Sequence, residues 1–220
     1  MATSSILTPI QRDFLSVFFA RPSSKTFFLT GGTAIAEFYL HHRYSEGLDL
    51  FTLDSNALGV MENDIAGIAQ EIGCTWSSGV KAADFRPIFL RRGSEPQLKI
   101  DFVRDPGPRF GECHTFGQVV VDSELNIAVN KVTALFGRAA PKDFVDLYFL
   151  LKKGYNLDEL IRMAKEKDLG FSEFYFAGML HENRRITTLP RMIEPLTVDE
   201  LRTFFEPLAA QIIMRLKPPE

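Results

Sequence analysis

The sequence predicts an α/β (α+β) fold, an N-terminal α/β half followed by a helical half. Short apolar segments punctuated by Gly, Pro and charged residues run as far as Asp122, the pattern of brief strands joined by turns. From Ser123 onward the apolar residues recur almost throughout at helical spacing. The composition, 45% hydrophobic and 24% charged over 220 residues, is that of a folded chain able to bury a core. Two regions result, 1–122 and 123–220, with neither a repeat nor a low-complexity linker between them.

The elements follow in order. Thr8-Pro9 opens a first helix, with Pro at its first position, and Phe14, Leu15, Phe18 and Phe19 recur behind it at helical spacing. Residues 25–30 read as a buried strand, ended by Gly31-Gly32. Residues 33–43 read as a helix with Ile35, Phe38 and Tyr39 on one side. A strand at 47–53 and one helix at 60–73 come next. Strands are expected at 74–80, 85–92, 97–105 and 117–122. Helices are expected at 124–138, 141–152, 157–167, 171–182 and 198–216. The last of these is a core-packing or partner-packing helix rather than a membrane anchor.

Composition excludes several classes. The net charge of −3 provides no global basic field to hold a polyanion, so any nucleic-acid contact must be local. Cys74 and Cys113 have no metal-ligand spacing and make no disulfide framework, which suits a reducing cytoplasm. The N-terminus has no long apolar stretch of a signal peptide, and no apolar run is long enough for a membrane span. Twenty Phe residues point to a core dominated by aromatic packing. His41-His42 at a helix end read as solvated rather than as metal ligands, and the basic pairs Arg91-Arg92 and Arg184-Arg185 as solvated surface rather than as contacts to RNA phosphates.

Four stretches carry possible chemistry. At Gly31-Gly32 a strand hands over to a helix; glycines admit close backbone approach of a ligand, and a helix start offers N–H groups to phosphate. Such turns also occur with no ligand at all. Asp49 stands in the apolar run LDLF, where a carboxylate is costly unless it is paired, on a metal, or turned to solvent at the strand end. In QLKIDFVRD, period-two alternation puts Lys99 and Asp101 on one face and Leu98, Ile100 and Phe102 on the other. Hard cations such as Mg²⁺ take one or two carboxylates together with substrate phosphate oxygens, which Asp49, Asp101 and a cradle at Gly31-Gly32 would supply. Lys131 and Arg138, seven apart, share a helix face, as do Asp143 and Asp146, three apart on the next helix. These four either close salt bridges between two helices or meet a phosphate and a reacting group.

In this order and spacing, LTGGTAIAEFYLHHRYSEGLDLFT, LKIDF and NKVTALFGRAAPKDFVDLYFL resemble the AbiEii/AbiGii-type nucleotidyltransferase toxins of the DNA polymerase β-like superfamily. The resemblance implies a mixed sheet flanked by helices, then a C-terminal helical bundle that completes the active-site cleft. It implies that Gly31, Gly32 and Thr33 hold a nucleoside triphosphate, with Ser45, Lys99, Lys131 and Arg138 as further nucleotide contacts. Asp49 and Asp101 would hold Mg²⁺ (or Mn²⁺), and Asp143 or Asp146 would fall on a downstream catalytic aspartate. The implied reaction moves a nucleotide from an NTP to an acceptor, an RNA such as the tRNA acceptor end, or a protein. A cognate antitoxin is the implied partner.

One position departs from the pattern. The resembled motif carries Asp-x-Asp at the first strand, and here the segment reads Ser45-Glu46-Gly47-Leu48-Asp49. Glu46 would point away from Asp49 on a regular strand, and it could serve only if a bulge re-aimed it. The alternative reading is therefore a catalytically impaired relative that binds nucleotide, RNA or a partner protein.

Overall fold

The computed structural model describes residues 5–216, and the chain divides into two compact units. One comprises Met1–Gly107 and Gly111–Ser123, the other Pro108–Phe110 and Glu124–Glu220.

The first unit is built on a seven-stranded mixed sheet. Helix α1 (Pro9–Phe19) opens on a capping box between Thr8 and Gln11, with Pro at its start. Strand β1 (Phe27–Thr30) is buried at every position and passes straight into α2 (Gly31–Ile35). The expected single helix then changes pitch: Ala36–Leu40 is a π-helical turn, closed by His41 in the left-handed region at φ 52°. Strand β2 (Leu48–Thr52) follows, then α3 (Ala57–Glu62) and α4 (Ile65–Glu71). The one helix expected over 60–73 is thus two, broken at Asn63-Asp64. Residues of this kind compete with the helix for backbone groups, and Asn63 Nδ2 donates back to the Gly59 carbonyl at 3.3 Å.

Strands β3 (Thr75–Ser78), β4 (Phe85–Arg91) and β5 (Leu98–Arg104) lie where alternation predicts them. Strand β6 (His114–Phe116) has no sequence counterpart; it forms a hairpin with β7 (Val119–Val121) across Gly117 at φ +62°. The sheet order is β3-β4-β5-β2-β1-β7-β6. β5 is therefore an inner strand, parallel to β2 and antiparallel to β4.

Alternation sorts the two faces. Phe27, Leu48, Leu50, Ile88, Leu90, Leu98, Ile100 and Phe102 are buried, and α1 packs on their side. Its Phe18 ring lies 5.6 Å from Phe27 and 5.4 Å from Phe102. The expected aromatic core is this cluster. The opposite face carries Asp49, Lys99 and Asp101 together with Phe28, Phe51, Phe85 and Phe89.

The second unit is helical: α5 (Glu124–Gly137), α6 (Pro141–Lys153), α7 (Leu157–Lys167), α8 (Glu173–His181) and α9 (Val198–Leu216). Helix α9 buries Leu201, Phe205, Ala209 and Ile212, and the Phe205 ring meets Phe144 of α6 edge-on at 5.3 Å. Among the described residues, no helix is long and apolar enough to cross a membrane.

Candidate functional site

The register of the sheet does what alternation alone could not. Asp49 of β2 is paired in parallel with Asp101 of β5, so the two carboxylates occupy adjacent positions on the face opposite α1. Asp101 Oδ2 accepts a hydrogen bond from Lys99 Nζ at 2.6 Å. Asp101 Oδ1 is buried and has no hydrogen-bond partner. Two like charges opposed across strands repel, and a buried carboxylate oxygen left unpaired is costly. The unpartnered Asp101 Oδ1 is thus a local cost that a cation would relieve.

The Gly-Gly turn sits directly against this pair. Gly31 holds φ +69°, and a Cβ placed on it would come within 2.1 Å of Asp49 Oδ2. Only a residue without a side chain fits there. A Cβ on Gly32 would lie 2.7 Å from Arg43 Nη2 and 3.2 Å from Ser45 Oγ. Thr33 is buried, and its hydroxyl donates to the Gly47 carbonyl. Gln11 Nε2 donates to the Ser45 carbonyl at 3.0 Å. Sequence reasoning rested the cradle partly on a helix start, but α2 has five residues before the π-turn. Close backbone approach is the stronger feature.

Gly47 lies just before β2, and a Cβ on it would sit 3.3 Å from the Lys99 carbonyl. Continuing the β2–β5 register puts position 47 opposite Lys99, on the same face as the carboxylates. Its φ is not in the left-handed region, so the backbone there admits an ordinary residue. Glu46 is exposed. Among the described residues, no group of three or more His, Cys, Asp or Glu is arranged to hold a metal.

In the helical unit the charged quartet closes on itself. Lys131 is buried, with Nζ 2.8 Å from Asp143 Oδ1 and 2.6 Å from Asp146 Oδ2. Arg138 Nε reaches Asp143 Oδ2 at 3.0 Å. Both aspartate side chains are 0% exposed, whereas that of Arg138 is 61% exposed. Of the two arrangements open at the sequence level, the interhelical salt bridges are present.

Three residues fall outside what the sequence suggested. Arg43 is 2% exposed and its guanidinium rests on Gly32, with Nη1 donating to the Tyr44 carbonyl at 2.9 Å. A cation at a helix end gives no sequence signal of burial. His42, expected in solvent, is fully buried, because the π-turn and the left-handed His41 send the chain back toward the core. Arg92, also expected in solvent, is half-buried between Asp13 and Glu95, each at 2.6 Å.

This mixed α/β fold, a seven-stranded sheet flanked by helices, is shared with solved nucleotidyltransferase folds. A protein from H. pylori solved as a candidate nucleotidyltransferase superposes with TM-score 0.63 at 18% identity, covering 96% of this chain and 97% of its own. MenT4, a nucleotidyltransferase toxin of Mycobacterium tuberculosis, superposes with TM-score 0.59 at 15% identity, covering 94% and 83%. The chain belongs to the family described as nucleotidyl transferase AbiEii toxin, Type IV TA system, which matches residues 13–215. An uncharacterised protein of Aquifex aeolicus (strain VF5) is 30% identical over 205 residues, 89% of this chain and 92% of the relative.

Proposed function

We propose that this protein transfers a nucleotide from an NTP to an RNA acceptor, as the toxin of a cytoplasmic toxin–antitoxin pair. The observation that carries the reading is the Asp49–Asp101 register beside Gly31. The orphaned Asp101 Oδ1 and the two adjacent carboxylates suit Mg²⁺ or Mn²⁺, the remaining coordination falling to phosphate oxygens and water. Bound there, the cation would neutralise charge building on the phosphates during displacement.

The other roles belong to the chain itself. Gly31 and Gly32 present backbone N–H groups to the triphosphate, and Thr33 fixes the turn by its bond to Gly47. Arg43 and Ser45, packed on Gly32, steady the turn from behind. Lys99, resting on Asp101, stands beside the carboxylate pair, within reach of a phosphate bound there. In the helical unit we assign Lys131 and Arg138 to phosphate, with Asp143 and Asp146 fixing the Lys131 ammonium. In the transfer, the acceptor hydroxyl oxygen bonds the α-phosphorus while the bond to the bridging oxygen breaks. Pyrophosphate leaves with that electron pair, and the hydroxyl proton passes to water. Incubating the folded protein with each labelled NTP, Mg²⁺ and total tRNA tests the reading; no labelled product with any of the four NTPs sinks it.

Gly47 favours a second reading, a weakened or silent enzyme that retains binding. Because position 47 faces Lys99 with only a 3.3 Å contact to relieve, Gly47→Asp fits after a shift of a few tenths of an ångström. It is expected to raise Mg²⁺ affinity and transfer rate by at least about tenfold, the scale of effects even of outer-shell groups. Equal, robust rates in the two proteins would rule the second reading out.

Gly31→Ala separates cradle from scaffold. The left-handed φ costs about 1–3 kcal/mol for a residue with a side chain, which a fall in melting temperature reads. The methyl also displaces the Asp49 carboxylate, and misplacement by about 1 Å is expected to cost about a hundredfold in rate. A folded Gly31→Ala protein with wild-type kinetics would remove the turn from the mechanism.

A further inference from the structure

The face that carries Asp49 and Asp101 continues outward across two more strands. On β4, Phe85, Pro87, Phe89 and Arg91 alternate onto it, because Pro87 is registered on Asp101, Phe85 on Val103 and Phe89 on Lys99. Phe85 and Phe89 are half-buried, and Lys99 and Arg91 are exposed. Lys99 Nζ lies 6.0 Å from the Phe85 ring centre. Successive side chains on one strand face stand about 6.6 Å apart, so two aromatic rings, Phe85 and Phe89, follow one another along β4 with Pro87 between them, Lys99 Nζ beside the first and Arg91 beyond the second. Arg86 and Arg92 turn to the other face, where they meet Glu62 and Asp13.

Position on the sheet suggests what these rings meet. In an in-line displacement the attacking and leaving oxygens lie on opposite sides of the phosphorus. The proposed triphosphate cradle lies at the end of β1, and the sheet runs from there through β2 and β5 to β4. The acceptor then approaches over β5 and β4. Resting on the proposed transferase reading, we propose that Phe85 and Phe89, with Lys99 and Arg91, form the acceptor platform, and that its occupant is the end of a single-stranded RNA. Aromatic faces accept any base by stacking, and cations beside them track the phosphates. The carboxylate pair is the acidic end of this face, and the platform beyond it presents cations, which complements a polyanion rather than an acidic or neutral peptide.

The test is binding of a fluorescently labelled single-stranded RNA to the full chain, by anisotropy, with neither NTP nor Mg²⁺. Phe85→Leu with Phe89→Leu keeps apolar packing and removes the π faces; it is expected to weaken binding at least about tenfold with an unchanged melting temperature. Arg91→Gln, a surface change that cannot unfold the chain, is expected to lower the slope of log K against log salt by about 0.7. Wild type failing to bind the RNA, or both variants binding as wild type does, overturns the platform, as does labelling of a protein acceptor that the two leucines leave unaffected. Loss of nucleotide transfer with RNA binding intact would instead overturn the transferase reading and leave the platform standing.

Discussion

Asp101→Asn is expected to cut nucleotide transfer by about a thousandfold or more while leaving the fold at least as stable as wild type. The kinetic part follows from the proposed role of Asp101, since a carboxylate that holds a metal contributes several kcal/mol of transition-state stabilisation, at about 1.4 kcal/mol per factor of ten. The stability part follows from the surroundings. Asn removes the charge that opposes Asp49 across the strands, a like-charge pairing that destabilises a sheet. It gives up the Lys99 ion pair, but the Lys99 side chain is 51% exposed, and such pairs contribute about 0–1 kcal/mol. Mg²⁺ separates the two proteins further: it should raise the melting temperature of wild type, since a ligand of the folded state stabilises it, and not that of the variant. Equal transfer rates in wild type and Asp101→Asn would show that whatever activity is measured does not run through this pair.

Much of this site was legible before the structure, and the parts that were not have physical causes. Alternation in QLKIDFVRD placed Lys99 and Asp101 on one face, and the Lys99–Asp101 contact at 2.6 Å agrees. Alternation cannot say which strand lies beside which, so the adjacency of β2 and β5 rested on the resemblance until the register of Asp49 on Asp101 was seen. The same holds for Phe85 and Phe89. They read as ordinary strand residues in sequence, and only their pairing to Val103 and Lys99 brings them onto the carboxylate face.

The helical errors come from a different source. Apolar periodicity is nearly the same for an α-helix and a π-turn over a few residues, so Ala36–Leu40 carried no warning. The consequence was larger than the local geometry. A regular helix over 33–43 would leave His42 and Arg43 at its solvated end, and the altered pitch buries both. Burying Arg43 puts its guanidinium against Gly32, so the glycine turn is packed on a side chain rather than left as a bare loop. Strand β6 was missed because His114–Phe116 is exposed throughout and has no alternation to read. It exists through pairing with β7 and through Phe116, whose ring meets Phe38 at 4.9 Å.

Lys131→Met is expected to destabilise the protein by about 3–5 kcal/mol, the cost of removing one partner from a buried ion pair. The magnitude rests on what stays behind. Asp143 and Asp146 are both 0% exposed, and each has an oxygen within 2.8 Å of the Lys131 ammonium. Arg138 compensates only Asp143, and only in part, because its side chain is 61% exposed and solvent screens it. Methionine nearly matches the lysine stem in volume, so packing loss is small and the effect is electrostatic. The pH dependence has a definite sign. A buried carboxylate without its cation has a raised pKa in the folded state, so the folded variant binds more protons than the unfolded chain and its stability falls as pH rises. Its deficit against wild type should therefore be largest near neutral pH and shrink on acidification, as urea unfolding at several pH values would record. Adding Asp146→Asn to Lys131→Met should recover much of the loss, since it removes one of the two buried charges left behind. If the cluster served phosphate binding alone, the single variant would unfold like wild type at every pH and fail only in NTP affinity. An intermediate result, stability lost and NTP affinity lost with only stability restored in the double variant, assigns both roles to one lysine.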